Sequence, residues 1–349
     1  MARDIQTLFD IEAPIVLGPF GGLSSVALTA AVSDAGGLGS FGLYGYSGDR
    51  IRETASALRA ATGRPFALNL WLPTGDEVVP ADADLAAARA AVAPLLAAAG
   101  VAAPPLPSAF LPSLDEQLDA VWDAAPAVLS VVFGVPAAET VAEAHRRGIR
   151  VVGTATSVAE AVALADGGVD AIVASGAEAA GHRVTFLRPA EDSLVGTFAL
   201  VPQVVDAVDV PVLAAGGIAD RRGVAAAFAL GAAGVQVGSA FLRTRASAAS
   251  DAHRDALRAA ADTDTVLTRA MSGRLARGIP NRAVRAIEDA DAIAPFPAQN
   301  WLTGVFRAAA RDDGELISLW AGQAAGLSRS DDADEVFAEL AAGLPPASR

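Results

Sequence analysis

The chain contains no cysteine. Without a thiol there is no thiolate nucleophile, no redox disulfide, no thiolate metal site and no disulfide framework. Lysine is missing as well, which leaves arginine as the only strong base. Schiff-base chemistry and pyridoxal phosphate catalysis are thereby excluded, as is the Walker lysine of a P-loop. Long apolar runs are also absent. Acids and arginines interrupt every alanine-rich segment, and the start "MARDIQTLFDIEAP" lacks the apolar centre of a leader, so no membrane partner is expected and a cytoplasmic location follows. Positive charge is scarce and scattered: with a net charge of −14 and no basic stripe, nucleic acid is not an expected partner. The 3 histidines, His145, His182 and His253, lie far apart with no carboxylate at zinc-ligand spacing, so no metal is expected.

What is present is a chain of 349 residues, half of them apolar, enough for one large domain with an appendage or for two modest ones. Short apolar runs ending in glycine or small polar residues recur: "PIVLGPFGG" from Pro14, "GGLGSFG" from Gly36, "PFALNLW" from Pro65, "AVLSVVFG" from Ala127, "RVVGTAT" from Arg150, "DAIVASG" from Asp170, "PVLAAGG" from Pro211 and "GVQVGSAF" from Gly234. Most are continuous rather than alternating, which is how strands buried on both faces of a parallel sheet read. Helical segments opened by Ser or Asp and closed by Gly lie between them. This pattern predicts an α/β fold, a (β/α)8 TIM barrel, over residues 1–245. Two regions break the alternation. Residues 72–113 read as an excursion from the third unit, and residues 246–313 as a mostly polar, helical cap. Residues 314–349 are expected to return to the barrel as its last helix, through "ELISLWAGQAAGL".

In such a barrel the site is built where the strands end. Glycine dominates that rim and lets backbone amides approach a flat or anionic ligand. "AAGGIADRRG" leads the seventh strand into a helix N-terminus and "QVGSAF" ends the eighth, which together predict a phosphate site made of amides, the Ser239 hydroxyl and a positive helix end. His182 sits among glycines and alanines in "ASGAEAAGHRV", either presented to a ligand or holding its own loop by backbone hydrogen bonds. His145 and His253 read as structural or exposed. Tyr44 and Tyr46 follow the second strand, where they read first as parts of a flexible glycine loop and second as residues within reach of a substrate, and Arg183 either attracts an anionic substrate or is solvated.

These stretches, with "AAVSDAGGLGSFG", "SGRLARGIPNR", "FPAQNWLT" and "LWAGQAAGL", also carry a resemblance. From about Ile11 to Leu327 the chain resembles the nitronate monooxygenases, the flavin-dependent group once called 2-nitropropane dioxygenases. The resemblance implies FMN. It places the phosphate on Gly216, Gly217, Gly238 and Ser239 with Gln236 alongside, and brings Asn69 and the loop Pro19, Phe20, Gly21 and Gly22 to the isoalloxazine. Ser175, Gly176, Ala180 and Gly181 complete the cofactor pocket. His182 matches the family's active-site histidine, which positions a nitronate or removes the α-proton of a nitroalkane. The flavin then passes an electron to dioxygen. A homodimer is expected.

Several positions depart from the family pattern. Phe20 stands where methionine is common, Ser175 where glutamine is, and Ala180 where a second glycine is; Val131 and Val132 replace an aromatic and a histidine found in one branch, and Phe296 replaces a tyrosine. These changes imply a more apolar pocket and a bulkier substrate than a small nitronate. Three other functions compete: oxidation of a larger acidic carbon compound, an FMN and nicotinamide dependent enoyl-thioester reductase, and a flavin-binding subunit without catalysis. The inosine monophosphate dehydrogenase type of barrel is excluded by the missing cysteine.

Overall fold

A computed structural model describes residues 4–346; the outermost residues of the first and last assigned segments, 1–3 and 347–349, lie outside the described residues. Its strands in chain order are β1 (Ile15–Leu17), β2 (Gly39–Gly42), β3 (Phe66–Trp71), β4 (Val128–Val132), β5 (Arg150–Ala155), β6 (Ala171–Ser175), β7 (Gly181–His182), β8 (Val212–Ala215), β9 (Gly234–Val237), β10 (Val266–Thr268) and β11 (Ala276–Gly278). Each of the eight apolar runs supplies one strand of an 8-stranded parallel sheet in the order β1-β9-β8-β6-β5-β4-β3-β2. A parallel bridge between Val16 and Leu38 joins the two ends, with Leu17 N donating to Leu38 O at 2.9 Å and Leu38 N to Ile15 O at 3.0 Å. The sheet is therefore the (β/α)8 barrel that the sequence pattern predicts.

Side-chain alternation divides the strands between two cores. Val16, Ala67, Val128, Val152, Val173 and Leu213 point inward, and the N-terminal helix Ile5–Phe9 plugs that interior with Ile5 and Phe9. Their neighbours, such as Leu68, Leu129, Val151 and Ile172, point outward to the helices. Helices over Val26–Asp34, Gly48–Ala61, Leu114–Ala124, Val158–Asp166 and Arg221–Ala229 are each opened by a side-chain cap, from Ser25, Ser47, Ser113, Ser157 and Asp220. Such a cap satisfies an amide that the first turn otherwise leaves bare.

A second, smaller core joins the two irregular regions. Leu85, Val92, Leu95 and Leu96, in and beside the helix Ala86–Ala98, pack on Val284 and Ile287 of Arg282–Asp289 and on Leu302 and Phe306 of Ala298–Ala309. The region expected to be mostly helical also contains β10 and β11, which form an antiparallel sheet with β7. Strands of two or three residues are too short to show a period of two in the sequence. The returning helix also needs correction. Glu315–Leu327 holds an antiparallel bridge at Trp320 and a 3-10 turn over Ala325–Leu327, and the helix that returns is Ala333–Ala341, which packs on Val26–Asp34 and Arg221–Ala229. Glycine disfavours a helix in "AGQAAG", and a Cβ on Gly322 would stand 2.9 Å from Glu178 O.

Candidate functional site

Alternation along the strands also fixes what faces the open end of the barrel. At the C-terminal ends the inward positions turn polar: Asn69 on β3, Thr154 on β5, Ser175 on β6 and Gln236 on β9. They floor a cavity of about 410 Å³, within the range of pockets that enclose a small molecule. His182 and all the expected cofactor residues line it except Gly176, whose Cα faces Thr197 and Glu178. Phe20, Val132 and Phe296, where the chain departs from the family pattern, are wall residues, while Val131 is buried outside the cavity.

The turn after β8 needs glycine twice. Gly216 and Gly217 have φ of 100° and 74°, the left-handed region that side chains resist, and a Cβ on Gly216 would stand 3.1 Å from Ala179 N. Beside this turn Glu178 accepts from Thr197 N at 3.0 Å and from Thr197 Oγ1 at 2.8 Å, which ties the histidine loop to the helix Thr197–Ala207. Ser239 Oγ accepts from Gly322 N at 2.9 Å, which leaves its own proton for the cavity. A Cβ on Gly22 or Gly181 would meet nothing within 4 Å, so the open space reaches the backbone there. This room, with glycine amides and the Ser239 hydroxyl at one end, fits a planar group with a phosphate tail.

His182 is held by β7, paired with Ala276 on β11, and its Nε2 lies 2.8 Å from Ser272 Oγ. The Ser272 hydroxyl is within 3.1 Å of Arg274 O and accepts from Arg274 N at 3.2 Å. All partners are satisfied when Ser272 donates to that carbonyl and Nε2–H donates to Ser272, which leaves the Nδ1 lone pair as the basic end. Trp71 meets the ring edge-on at 4.8 Å and 74°, and Trp320 lies at 5.5 Å. Burial, and then the positive charges of Arg274 and Arg307, lower the imidazole pKa to about 3. The ring is neutral at neutral pH.

Arg183 is corrected on both readings. It is 2% exposed and donates to the carbonyls of Gly176 at 2.6 Å, Ser175 at 3.0 Å and Ser193 at 3.2 Å. Following His182 in extended chain, it points the opposite way, into the loop rather than the cavity. His253 is buried and bonds Trp320 O through Nε2 at 3.0 Å, supporting the tryptophan beside the site. His145 faces Asp170 at 2.9 Å on the surface.

Other wall residues carry no local signal. Asn300 and Arg307 come from the helix Ala298–Ala309, and Trp320 from the strap that replaces the expected helix. Trp71 and Thr154 were within reach of the sequence, since Trp71 stands two residues after Asn69 and shares its face. Among the described residues no cluster of His, Cys, Asp and Glu is placed to hold a metal, and no helix is long and apolar enough to cross a membrane.

Comparison with known proteins agrees with this geometry. The nitronate monooxygenase family model matches residues 3–343. A probable nitronate monooxygenase of Staphylococcus aureus (strain Newman) is 36% identical over 340 residues, 96% of this chain and 95% of that protein. The structure of nitroalkane oxidase from Streptomyces ansochromogenes superposes with a TM-score of 0.85 at 35% identity, covering 97% of this chain and 96% of the other. FabK from Thermotoga maritima superposes at 0.75 with 30% identity, over 96% and 94%. With the family model spanning nearly every residue and a relative of 36% identity matching 96% of the chain, the chain belongs to the nitronate monooxygenase family and is an oxidoreductase.

Proposed function

We propose that the protein is an FMN-dependent enzyme that oxidises alkyl nitronates with dioxygen, His182 acting on the substrate. The observation that carries this reading is a neutral imidazole on the wall of a cavity whose far side is built of glycine turns and the Ser239 hydroxyl. Gly216, Gly217, Gly238 and Ser239 hold the phosphate; neutral amides suit a dianion in a chain without lysine. Asn69, whose Nδ2 donates to Ser130 Oγ at 2.9 Å, and the loop Pro19 to Gly22 hold the ring system. When bound, FMN supplies the one-electron chemistry between the nitronate and dioxygen.

The rest is done by this chain's own residues. His182 positions a preformed nitronate by hydrogen bonding, or takes the α-proton of a neutral nitroalkane on Nδ1. That transfer creates an anion and an imidazolium together. The arginines that disfavour imidazolium also stabilise the new anion, so the low pKa of the empty ring does not measure its basicity beside the product. Phe20, Val132 and Phe296 shield the reaction from water and favour a bulky carbon skeleton.

An anaerobic visible spectrum tests the reading: a nitronate is expected to change the flavin bands, and NADH or NADPH to leave them unchanged. Bleaching by the nicotinamide with no response to a nitronate supports an enoyl-thioester reductase instead.

A further inference from the structure

Two arginines line the cavity, and among the described residues neither has a carboxylate partner: Arg50 lies over the Tyr46 ring, and Arg307 is buried. Arg307 also has a buried Nε with no hydrogen-bond partner. Its Nη1 donates to Ser318 Oγ at 3.1 Å, and its Nη2 to the Asn300 carbonyl at 3.0 Å and to Asn300 Oδ1 at 2.7 Å. Arg274, by contrast, is paired with Asp76 and Glu77, both at 2.7 Å.

The bonds from Arg307 run in one direction only. A guanidinium can donate and cannot accept, so the Asn300 amide must turn its oxygen toward Arg307. Its nitrogen then faces Tyr44, with Nδ2 donating to Tyr44 Oη at 3.0 Å. An amide nitrogen also cannot accept. Tyr44 Oη therefore takes that bond as acceptor, and its own proton is left with no acceptor among the described residues. The phenol lines the cavity and packs on Trp71 at 4.3 Å, the tryptophan that also meets His182. Burial pushes the Tyr44 pKa up to about 12, so the proton stays on the oxygen at any working pH.

We propose that Arg307, Asn300 and Tyr44 form a polarised donor chain whose last proton, on Tyr44 Oη, binds a negatively charged oxygen of the substrate. The inference rests on reading this cavity as a nitronate site and deepens it. Tyr44 is the binding residue; Asn300 and Arg307 are positioning residues that set which way its hydroxyl points. Positive charge at the far end strengthens each bond in the chain and favours an anion at its tip.

The chain is tested on FMN-loaded wild type, Tyr44→Phe and Asn300→Asp, with flavin content measured in each. Nitrate, a planar oxyanion that cannot be oxidised, is titrated by its perturbation of the flavin's visible absorbance, and kcat and KM are measured with ethyl nitronate in air. Tyr44→Phe removes only the hydroxyl. Asn300→Asp keeps the size and the bond to Arg307, but its second oxygen captures the Tyr44 proton and turns it away from the cavity. Both variants are expected to bind nitrate about 10- to 100-fold more weakly and to raise KM similarly, the scale of one hydrogen bond to a charged group, with kcat changed less. Nitrate affinity and KM within twofold of wild type in Tyr44→Phe overturn the donor. A loss in Tyr44→Phe with wild-type behaviour in Asn300→Asp overturns the chain, and a wild type blind to nitrate overturns both. If the wild type oxidises no nitronate while nitrate binding still falls in both variants, the donor chain stands and the nitronate reading fails.

Discussion

His182 Nε2 and Ser272 Oγ stand 2.8 Å apart, joining the loop after β6 to the turn between β10 and β11. The catalytic candidate is thus oriented by a hydroxyl that lies 90 residues away in the chain. If that bond sets the ring's tautomer, Ser272→Ala is expected to lower kcat about tenfold with flavin content unchanged, a modest share of what a positioned base supplies. Steady-state kinetics on flavin-normalised enzyme check it; unchanged kcat means that the ring is held by Trp71 and Trp320 alone.

Replacing the ring itself is a larger change. His182→Asn is expected to retain FMN, because the residues proposed to hold the phosphate are on the turns after β8 and β9, and to reduce turnover roughly 10²-fold or more. A neutral nitroalkane must lose its α-proton first, so its loss is expected to exceed that of a preformed nitronate. Equal, small losses with the two substrates would assign His182 a loop-holding role only.

The same ring couples stability to acidity. Its pKa in the folded protein is lowered from 6.5 to about 3, so between those values the unfolded chain binds the proton that the native one refuses. Stability contributed by keeping the ring neutral is complete above pH 6.5 and is lost as pH falls. Buried His253 has a lowered pKa and acts with the same sign. Between pH 7 and pH 5 the wild type is expected to lose more stability than His182→Asn, by at most about 2 kcal/mol. Urea unfolding at the two pH values, at matched flavin content, measures the difference, and parallel losses in the two proteins would refute it.

At the glycine turn, charge and shape separate cleanly. Gly217 is left-handed, a conformation that Asp and Asn tolerate better than other side chains, and its Cβ position stands 3.8 Å from Glu178 Cβ. Gly217→Asp is expected to abolish flavin binding in a folded barrel, whereas Gly217→Asn retains a measurable share. Flavin absorbance after gel filtration compares them; equal retention would place the phosphate elsewhere.

Arg183 makes a prediction of the opposite kind. Its guanidinium serves three backbone carbonyls and faces away from the cavity, so Arg183→Met is expected to cost ~3 kcal/mol or more in stability, with carbonyls left buried and bare. KM for a nitronate is expected to stay within about twofold of wild type in the folded fraction. A large rise in KM without a stability loss would restore the role of an anion attractor.

The barrel was legible because each strand is buried on both faces and reads as a continuous apolar run, and because its glycines fall where the strands end. That the glycine turns and His182 would line one cavity was legible for the same reason: they follow strands that can be counted. The direction of Arg183 was not, since β7 is two residues long and shows no alternation. Nor was the donor chain, whose Tyr44 and Asn300 are 256 residues apart and meet only through tertiary packing. Glycines in "AGQAAG" mark a break in a helix, but nothing local says that the broken segment crosses a cavity.

That crossing has a consequence for how the molecule is made. Gly322 N reaches Ser239 Oγ, Gln323 N reaches Glu178 O at 3.0 Å, and Trp320, Gly322, Ala324 and Ala325 wall the pocket. All eight barrel strands precede this segment in the chain, so the side of the pocket that it supplies is the last to be synthesised. A chain that stops short of Trp320 loses this wall and, with it, the helix Ala333–Ala341 that closes the ring of helices, so truncation there is expected to weaken ligand retention and barrel packing together.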